Sequence, residues 1–148
     1  MALTSALAAW SRLGAVSRPA SASGRRFLIV HLDGVSRRAL KLALEAGHMP
    51  TLSRWLNEGS HTLLPTFSGA PASTPAFQAA LFYGERGDNP GYQWHDKKRN
   101  KDIRMDDSRE VHRYEESLGR KGRGILRGGS TYFSIIGGEA EEPAYCMS

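Results

Sequence analysis

Two residues whose side chains could act together in chemistry, Asp33 and Thr74, are each predicted to lie at the end of a secondary-structure element. Asp33 ends the apolar run 27–33, and Thr74 precedes Pro75 at the predicted start of a helix. A carboxylate at a strand end is a hard oxygen ligand for a divalent metal, and a hydroxyl at a helix start lies beside unpaired N–H groups that favour phosphate. In an open α/β sheet both positions lie at the same edge, so the sequence predicts a crevice for an anion or a metal. A simple turn at Asp33 and a simple helix cap at Thr74 remain the alternatives on local pattern alone.

The elements that would position these two residues follow from hydrophobic periodicity. The run 27–33 is apolar on both faces and contains β-branched residues, which is typical of a central strand in a parallel sheet. Residues 36–46 have the apolar spacing of a helix, and Gly47 is a natural stop. The other predicted elements are a short helix opening at Pro50, a strand over 60–67, a loop over 68–73, a helix from Thr74 to Tyr83, turns over 85–101, a helix over 107–118 and an ordered loop over 128–148. Strands and helices alternate, so the predicted fold class is α/β, a mostly parallel sheet flanked by helices.

Several short motifs agree in order and spacing with those of a known family. They are Leu32-Asp33-Gly34, His48-Met49-Pro50-Thr51-Leu52, Gly59, Ser73-Thr74-Pro75-Ala76-Phe77-Gln78, Tyr83-Gly84 and Pro90-Gly91-Tyr92-Gln93-Trp94-His95-Asp96. Together they resemble the type I phosphodiesterase/nucleotide pyrophosphatase family of the alkaline-phosphatase superfamily. The resemblance covers residues 26–96 well. It implies that residues 26–148 are the N-terminal part of an alkaline-phosphatase-like sandwich.

The resemblance also assigns roles within the predicted crevice. It implies that Asp33 is a ligand of one zinc and that Thr74 is a nucleophile, which also contacts that metal and forms a covalent phospho-threonine. The intact family holds two divalent ions that stabilise the attacking and leaving oxygens. Relatives that cleave nucleotides carry an Asn that helps to hold the phosphate, where this chain has Tyr92, and the nearest Asn is Asn89. Asn89 and Tyr92 are therefore the candidate substrate-binding residues, and the substrate, beyond a small phosphoester, is left open.

Further metal ligands of the family are missing from this sequence. They come from downstream Asp-x-x-x-His and Asp-His motifs and a late His, and neither motif occurs in these 148 residues. Asp107 and His112 are one residue too far apart for the first motif. We therefore expect residues 26–148 to be a truncated domain, inactive by itself, preceded by a disordered or leader-like segment over residues 1–25. A non-catalytic fragment that binds metal poorly is the alternative.

The remaining metal-binding residue types are predicted to be structural. His31 is expected to be a core residue of the first strand with its ring nitrogens satisfied, and His95 is the histidine expected to come nearest to a substrate. The single cysteine, Cys146, excludes an internal disulfide and a Cys-cluster metal site. A sulfatase, a close relative of the family, is set aside because Phe77 stands where its motif requires an Arg.

Basic residues are clustered in a chain whose formal charge is +5. The clusters after the acid-free N-terminal segment are Lys97, Lys98, Arg99 and Lys101, and then Arg120, Lys121, Arg123 and Arg127. They make a nucleic-acid-binding module the competing hypothesis from another class. No aromatic side chains interleave the charges, so a solvated surface is favoured and nucleic acid is not an expected partner. No apolar run reaches the ~18–20 residues that cross a bilayer, and a cytoplasmic location is the default expectation.

Overall fold

Four helices and two small sheets make up residues 27–70, 72–86, 89–120 and 123–148, the part of the chain that the structure describes. The structure is a computed structural model. Its helices are α1 (Arg37–Glu45), α2 (Pro50–Asn57), α3 (Thr74–Tyr83) and α4 (Ser108–Gly119). Strands β1 (Gln93–Asp96) and β2 (Lys101–Arg104) pair antiparallel, and β3 (Ser130–Tyr132) pairs in parallel with β4 (Glu142–Ala144). The chain is thus a mixed α/β protein, and the predicted leader-like segment over residues 1–25 lies outside the described residues.

All four helices form where the sequence predicted them. The side chain of Ser36 caps α1 by accepting the N–H of Ala39 at 3.1 Å, and Asp107 caps α4 in the same way through Arg109. One boundary differs from the prediction. The N-cap of α3 is Ser73, not Thr74. Thr74 is therefore the first helical residue, which places its hydroxyl within the first turn of the helix.

Neither of the two strands predicted in the first half of the chain forms. Residues 27–33 and 60–67 take part in no strand pairing within the described residues. Their apolar side chains lie in solvent, since Phe27 is 89% exposed and Phe67 is 84% exposed. A strand needs a neighbour to pair its backbone groups, and the described residues supply none for these segments. The prediction that His31 is a buried core residue is wrong for the same reason, because its ring is exposed.

Neither sheet was predicted from the sequence: β1 lies in the segment expected to be turns, β3 and β4 lie in the expected loop, and β2 begins where the expected turns end. In the first, Gln93 of β1 lies opposite Arg104 of β2. The turn between these strands is closed by Asp96, whose carboxylate accepts the N–H groups of Lys98 and Arg99 at 2.9 and 3.2 Å. The second sheet, β3–β4, has only three residues in each strand. Within the described residues, β3–β4 is the parallel pair, and residues 27–33 belong to neither sheet. The mostly parallel sheet that was expected around residues 27–33 is therefore not present in this part of the chain.

The core lies between α3 and α4 and is closed by the loop that follows β3. Helix α3 contributes Ala79 and Phe82, α4 contributes Leu118, and the loop contributes Ile136, each at most 5% exposed. Helices α1 and α2 bury no residue. The helix that carries Thr74 is therefore held by the core, while the segment that carries Asp33 lies outside it.

Gly138 and Glu115 tie the loop after β3 to both core helices. Gly138 has a φ of +64°, and a side chain at that position would meet the ring of Phe82 at 3.1 Å. The Glu115 carboxylate accepts the N–H groups of Gly137 and Gly138 at 2.9 and 2.5 Å. It also accepts the hydroxyl of Tyr83 at 2.6 Å. Burial, reinforced by this hydrogen bond to a carboxylate, raises the pKa of Tyr83 well above its usual value.

Candidate functional site

The structure brings together the two residues that the sequence singled out. The hydroxyl of Thr74 donates a hydrogen bond to Oδ2 of Asp33 at 3.2 Å, although 41 positions separate the two residues in the chain. Asp33 is exposed and Thr74 is half-buried, so the pair lies at the surface. The chain turns directly after Asp33, at Gly34, which has a φ of +70°. This turn lets the extended segment end beside the first turn of α3.

A second contact between the same two segments lies one helical turn further along α3. Nε2 of Gln78 is 3.5 Å from Nδ1 of His31, and the ring of Phe77 is centred 5.3 Å from the His31 ring. Thr74 and Gln78 are about 6 Å apart along the helix axis. Asp33 and His31 are about 6.6 Å apart along an extended chain. Because these spacings agree, both contacts form in one register and hold the Asp33 carboxylate beside Thr74.

Gln78 connects this arrangement to the core. Its side chain is 4% exposed. Its Oε1 accepts the N–H groups of Ile135 and Ile136 at 3.0 and 3.2 Å, so it satisfies two backbone donors of the loop that closes the core. Gln78 was not predicted to be a site residue, although it ends one of the motifs quoted above. The sequence signal that could have identified it is its position four residues after Thr74, because residues at that spacing lie on the same face of a helix.

The N-terminus of α3 has the features of an anion site. No side chain caps it, because Ser73 makes no capping hydrogen bond. The Ser73 hydroxyl is buried and has no hydrogen-bond partner. Pro75 has no N–H and Ala76 is fully buried, so the anion-binding features beside Thr74 are its own N–H and the positive end of the helix dipole.

The donor set at this position fits one metal ion and does not fit two. Zinc holds oxygen ligands at about 2.0–2.2 Å, so the Asp33 and Thr74 oxygens, 3.2 Å apart, suit a single shared ion. Among the described residues there is no group of three His, Cys, Asp or Glu side chains placed to bind a metal. Within that part of the chain, Asp33 and Thr74 are thus the candidate ligands of one shared cation, and no group of three such side chains offers the site of a second ion.

The two candidate substrate-binding residues lie elsewhere, just before β1. Asn89 is buried, and its Oδ1 accepts the N–H of Gly91 at 2.7 Å, while its Nδ2 makes no hydrogen bond. Tyr92 is half-exposed, and its carbonyl accepts the N–H of Met105 at 3.0 Å. Neither side chain is hydrogen-bonded to Asp33 or Thr74. The structure therefore shows Asn89 in a turn and Tyr92 on the hairpin, with their substrate roles left as predictions.

The histidine predicted to come nearest to a substrate is paired with a carboxylate. His95 Nδ1 lies 2.8 Å from Oδ1 of Asp102, across the β1–β2 hairpin. Asp107 and His112, whose spacing does not fit the family's metal motif, are also engaged: Asp107 caps α4, and His112 lies 3.5 Å from Glu116. These contacts are on exposed faces, so they resemble ordinary surface pairs.

Two residues of the basic cluster at 97–101 contact a buried carboxylate, Glu110, which was not predicted from the sequence. The Glu110 side chain is 2% exposed. It accepts Arg99 through both oxygens at 2.6 and 2.9 Å, Lys101 at 2.7 Å and Arg113 at 2.9 Å. These cations, Arg99 foremost, lower the pKa of Glu110 to about 2 against the desolvation that would raise it. Two of the four basic residues of the cluster are thus committed to fixing the hairpin on α4.

Comparisons with known proteins add no identification. No protein family, curated protein or solved structure matches this chain. Within the described residues, no helix combines the length and apolar character needed to cross a lipid bilayer.

Proposed function

We propose that this chain carries the nucleophile side of a metal-dependent phosphoester hydrolase, similar to the phosphodiesterase/nucleotide pyrophosphatase family. Thr74 is the proposed nucleophile, and Asp33 is the proposed zinc ligand. The observation that carries the proposal is the 3.2 Å hydrogen bond between Thr74 and Asp33 at the uncapped N-terminus of α3. The same proposal places these residues in an alkaline-phosphatase-like sandwich.

The proposed reaction uses groups that lie in contact in the structure. The Thr74 oxygen attacks phosphorus, the bond from that oxygen to phosphorus forms as the bond from phosphorus to the leaving oxygen breaks, and the leaving alkoxide takes a proton from water and departs as the alcohol. Asp33 accepts the hydrogen bond of the hydroxyl, so it orients the nucleophile and is placed to take its proton. The N–H of Thr74 and the positive end of the α3 dipole stabilise the phosphoryl oxygens. A bound zinc would supply Lewis acidity that stabilises the charge on these oxygens. Water then hydrolyses the phospho-threonine.

A zinc titration tests the site without requiring turnover. We expect wild-type chain to bind zinc weakly, since only two protein oxygens converge. Asp33→Asn is expected to weaken binding by about tenfold or more, because it removes the one charged ligand. Glu58→Gln is the matched control, since Glu58 is an exposed carboxylate at the C-cap of α2. Isothermal titration calorimetry provides the measurement, and equal affinities for wild type and Asp33→Asn would contradict the assignment.

Turnover gives a second result from the same samples. The family's reaction uses two metal ions, whereas Asp33 and Thr74 are only two candidate ligands. We therefore expect hydrolysis of bis-p-nitrophenyl phosphate by the isolated chain to stay near the uncatalysed rate. Rapid zinc-dependent hydrolysis that Thr74→Ala abolishes would contradict this expectation of inactivity and would support Thr74 as the nucleophile.

The competing hypothesis of a nucleic-acid-binding module has less support. Arg99 and Lys101 are bound to Glu110, and Arg127 is bound to Glu139 at 2.5 Å. Because the charges of these cations are already balanced by neighbouring carboxylates, a solvated surface is favoured over a row of unpaired cations that would bind phosphates. Binding to DNA or RNA that weakens steeply with salt would reverse this preference.

A further inference from the structure

The small β3–β4 sheet displays three aromatic side chains to solvent: Tyr132 at 51% exposed, Phe133 at 73% and Tyr145 at 79%. We name these three residues the aromatic corner. The rings of Phe133 and Tyr145 stack, with centroids 5.0 Å apart and planes within 6° of parallel. Each ring keeps its outer face open even though it is stacked on the other. Large apolar groups held in solvent in this way are typical of a binding surface.

The backbone under the stacked rings is in a conformation that bulky side chains avoid. Phe133 has a φ of +55° and Tyr145 a φ of +57°. Each residue directly follows the last residue of a strand, and the Phe133 N–H donates to the carbonyl of Ala144 at 3.1 Å. A left-handed conformation at a bulky residue is unfavourable and is held by its surroundings, and such positions are concentrated at functional sites. In this chain two such positions, Phe133 and Tyr145, carry the two stacked, exposed rings.

The segment that carries the aromatic corner is acidic, although the chain as a whole is basic and one of the segment's carboxylates, Glu139, is paired with Arg127. Residues 128–148 contain three Glu and no Lys or Arg, whereas the full chain carries +5. Glu141 and Glu142 are exposed at the start of β4, and Tyr145 directly follows its end. A three-residue strand is about 10 Å long. At physiological salt a charge at that distance is largely screened, so the carboxylates would act on a second group of an extended ligand that lies beside them.

We propose that the aromatic corner binds an arginine-bearing peptide segment of a partner protein. An arginine guanidinium stacks on an aromatic face and is attracted to its electron-rich ring. A second arginine three residues away in an extended peptide would lie about 10 Å along the strand, beside Glu141 and Glu142. Nucleic acid fits this surface poorly, because the same carboxylates repel its phosphates.

The test uses the full chain and a defined probe, acetyl-Gly-Arg-Gly-Gly-Arg-Gly-amide. Its control is the same peptide with citrulline in place of arginine, which keeps the shape and removes the charge. We expect the arginine peptide to bind at least tenfold more tightly than the citrulline peptide by NMR titration. We also expect ring-current shifts on the arginine side-chain protons, since these report stacking directly.

Variants locate the site on the chain. Tyr145→Ala and Phe133→Ala are each expected to weaken peptide binding tenfold, and so is the double change Glu141→Gln and Glu142→Gln, which leaves the rings intact. Phe67→Ala is the matched control, an equally exposed aromatic outside the β3–β4 sheet. Four outcomes would each overturn the proposal. The arginine peptide binds no more tightly than the citrulline peptide, or does not bind at all. Phe67→Ala has the same effect as Tyr145→Ala, or an oligothymidylate binds more tightly than the arginine peptide.

Discussion

Gln78 shows how one buried side chain controls the geometry of a surface site. Its Oε1 satisfies two backbone donors of the loop at Ile135 and Ile136, and its Nε2 faces His31. The ring of His31 is two residues from Asp33 and therefore sets the position of that carboxylate. Gln78 lies in a helix predicted correctly from sequence. Its partners did not follow from the sequence, because they are 47 to 58 positions away.

Replacement of Gln78 tests this link. Gln78→Ala leaves two buried or half-buried N–H groups without an acceptor, and we expect the free energy of unfolding to fall by about 2–3 kcal/mol. Urea denaturation measures the change. Gln93→Ala, at an exposed glutamine of β1, is the control and is expected to stay within about 0.5 kcal/mol of wild type. Equal stabilities for the two variants would show that the loop does not depend on Gln78.

Glu110 makes stability depend on pH in the acidic range. Its pKa falls from an ordinary 4.5 to about 2 in the folded chain. Because the folded pKa is the lower one, the stabilisation is fully present above pH 4.5 and is lost as the pH falls through the folded value near 2. Its three cationic partners are partly exposed, so solvent screening reduces the contribution to about 2 kcal/mol.

Glu110→Gln removes this dependence. We expect the variant to lose about 2 kcal/mol at pH 7 and only a small part of that near pH 2, where about half of the wild-type carboxylate is itself protonated. Urea denaturation at both pH values gives the comparison. Glu116→Gln, an exposed glutamate of the same helix, serves as the control. A loss that is equal at the two pH values would mean that Glu110 acts through shape and not through charge.

At the scale of elements, the sequence predicted helices better than strands. Helices are fixed by local signals, such as the caps at Ser36 and Asp107 and the proline at the start of α2, so their positions followed from the pattern to within about one residue. Strands depend on distant partners. The strong apolar pattern of residues 27–33 finds none within the described residues. In contrast, β3 and β4 are short and weakly patterned, yet they pair because the turn at Gly137 and Gly138 brings them together.

The exposed extended segments give a prediction at this scale. Leu64 is 75% exposed, so Leu64→Lys is expected to change the free energy of unfolding by less than about 0.5 kcal/mol. It should also reduce self-association, since charges on unpaired extended segments oppose edge-to-edge pairing. Leu118→Ala in the core is the reference and should cost about 3 kcal/mol. Denaturation and light scattering provide the two readouts. A loss for Leu64→Lys as large as that for Leu118→Ala would show that residues 60–67 are buried in solution.

At the scale of the whole molecule, the core and the candidate site are only partly shared. The core is built by α3, α4 and the loop after β3, and α3 also presents Thr74. Asp33 reaches Thr74 from a segment that the core does not bury. Sequence reasoning predicted that these two residues would meet, through the assumption of a shared sheet edge. The structure places them together by another route, the paired contacts at Thr74 and Gln78 along one helix face.

Anomalous diffraction at the zinc edge from crystals of the chain soaked in zinc chloride tests the shared-cation site most directly. The account predicts a peak about 2.0–2.2 Å from an Asp33 carboxylate oxygen, next to the Thr74 hydroxyl, and the loss of that peak in Asp33→Asn crystals. Asp33 and Thr74 oxygens on separate faces of the molecule, or zinc bound elsewhere with none at this pair, would contradict it.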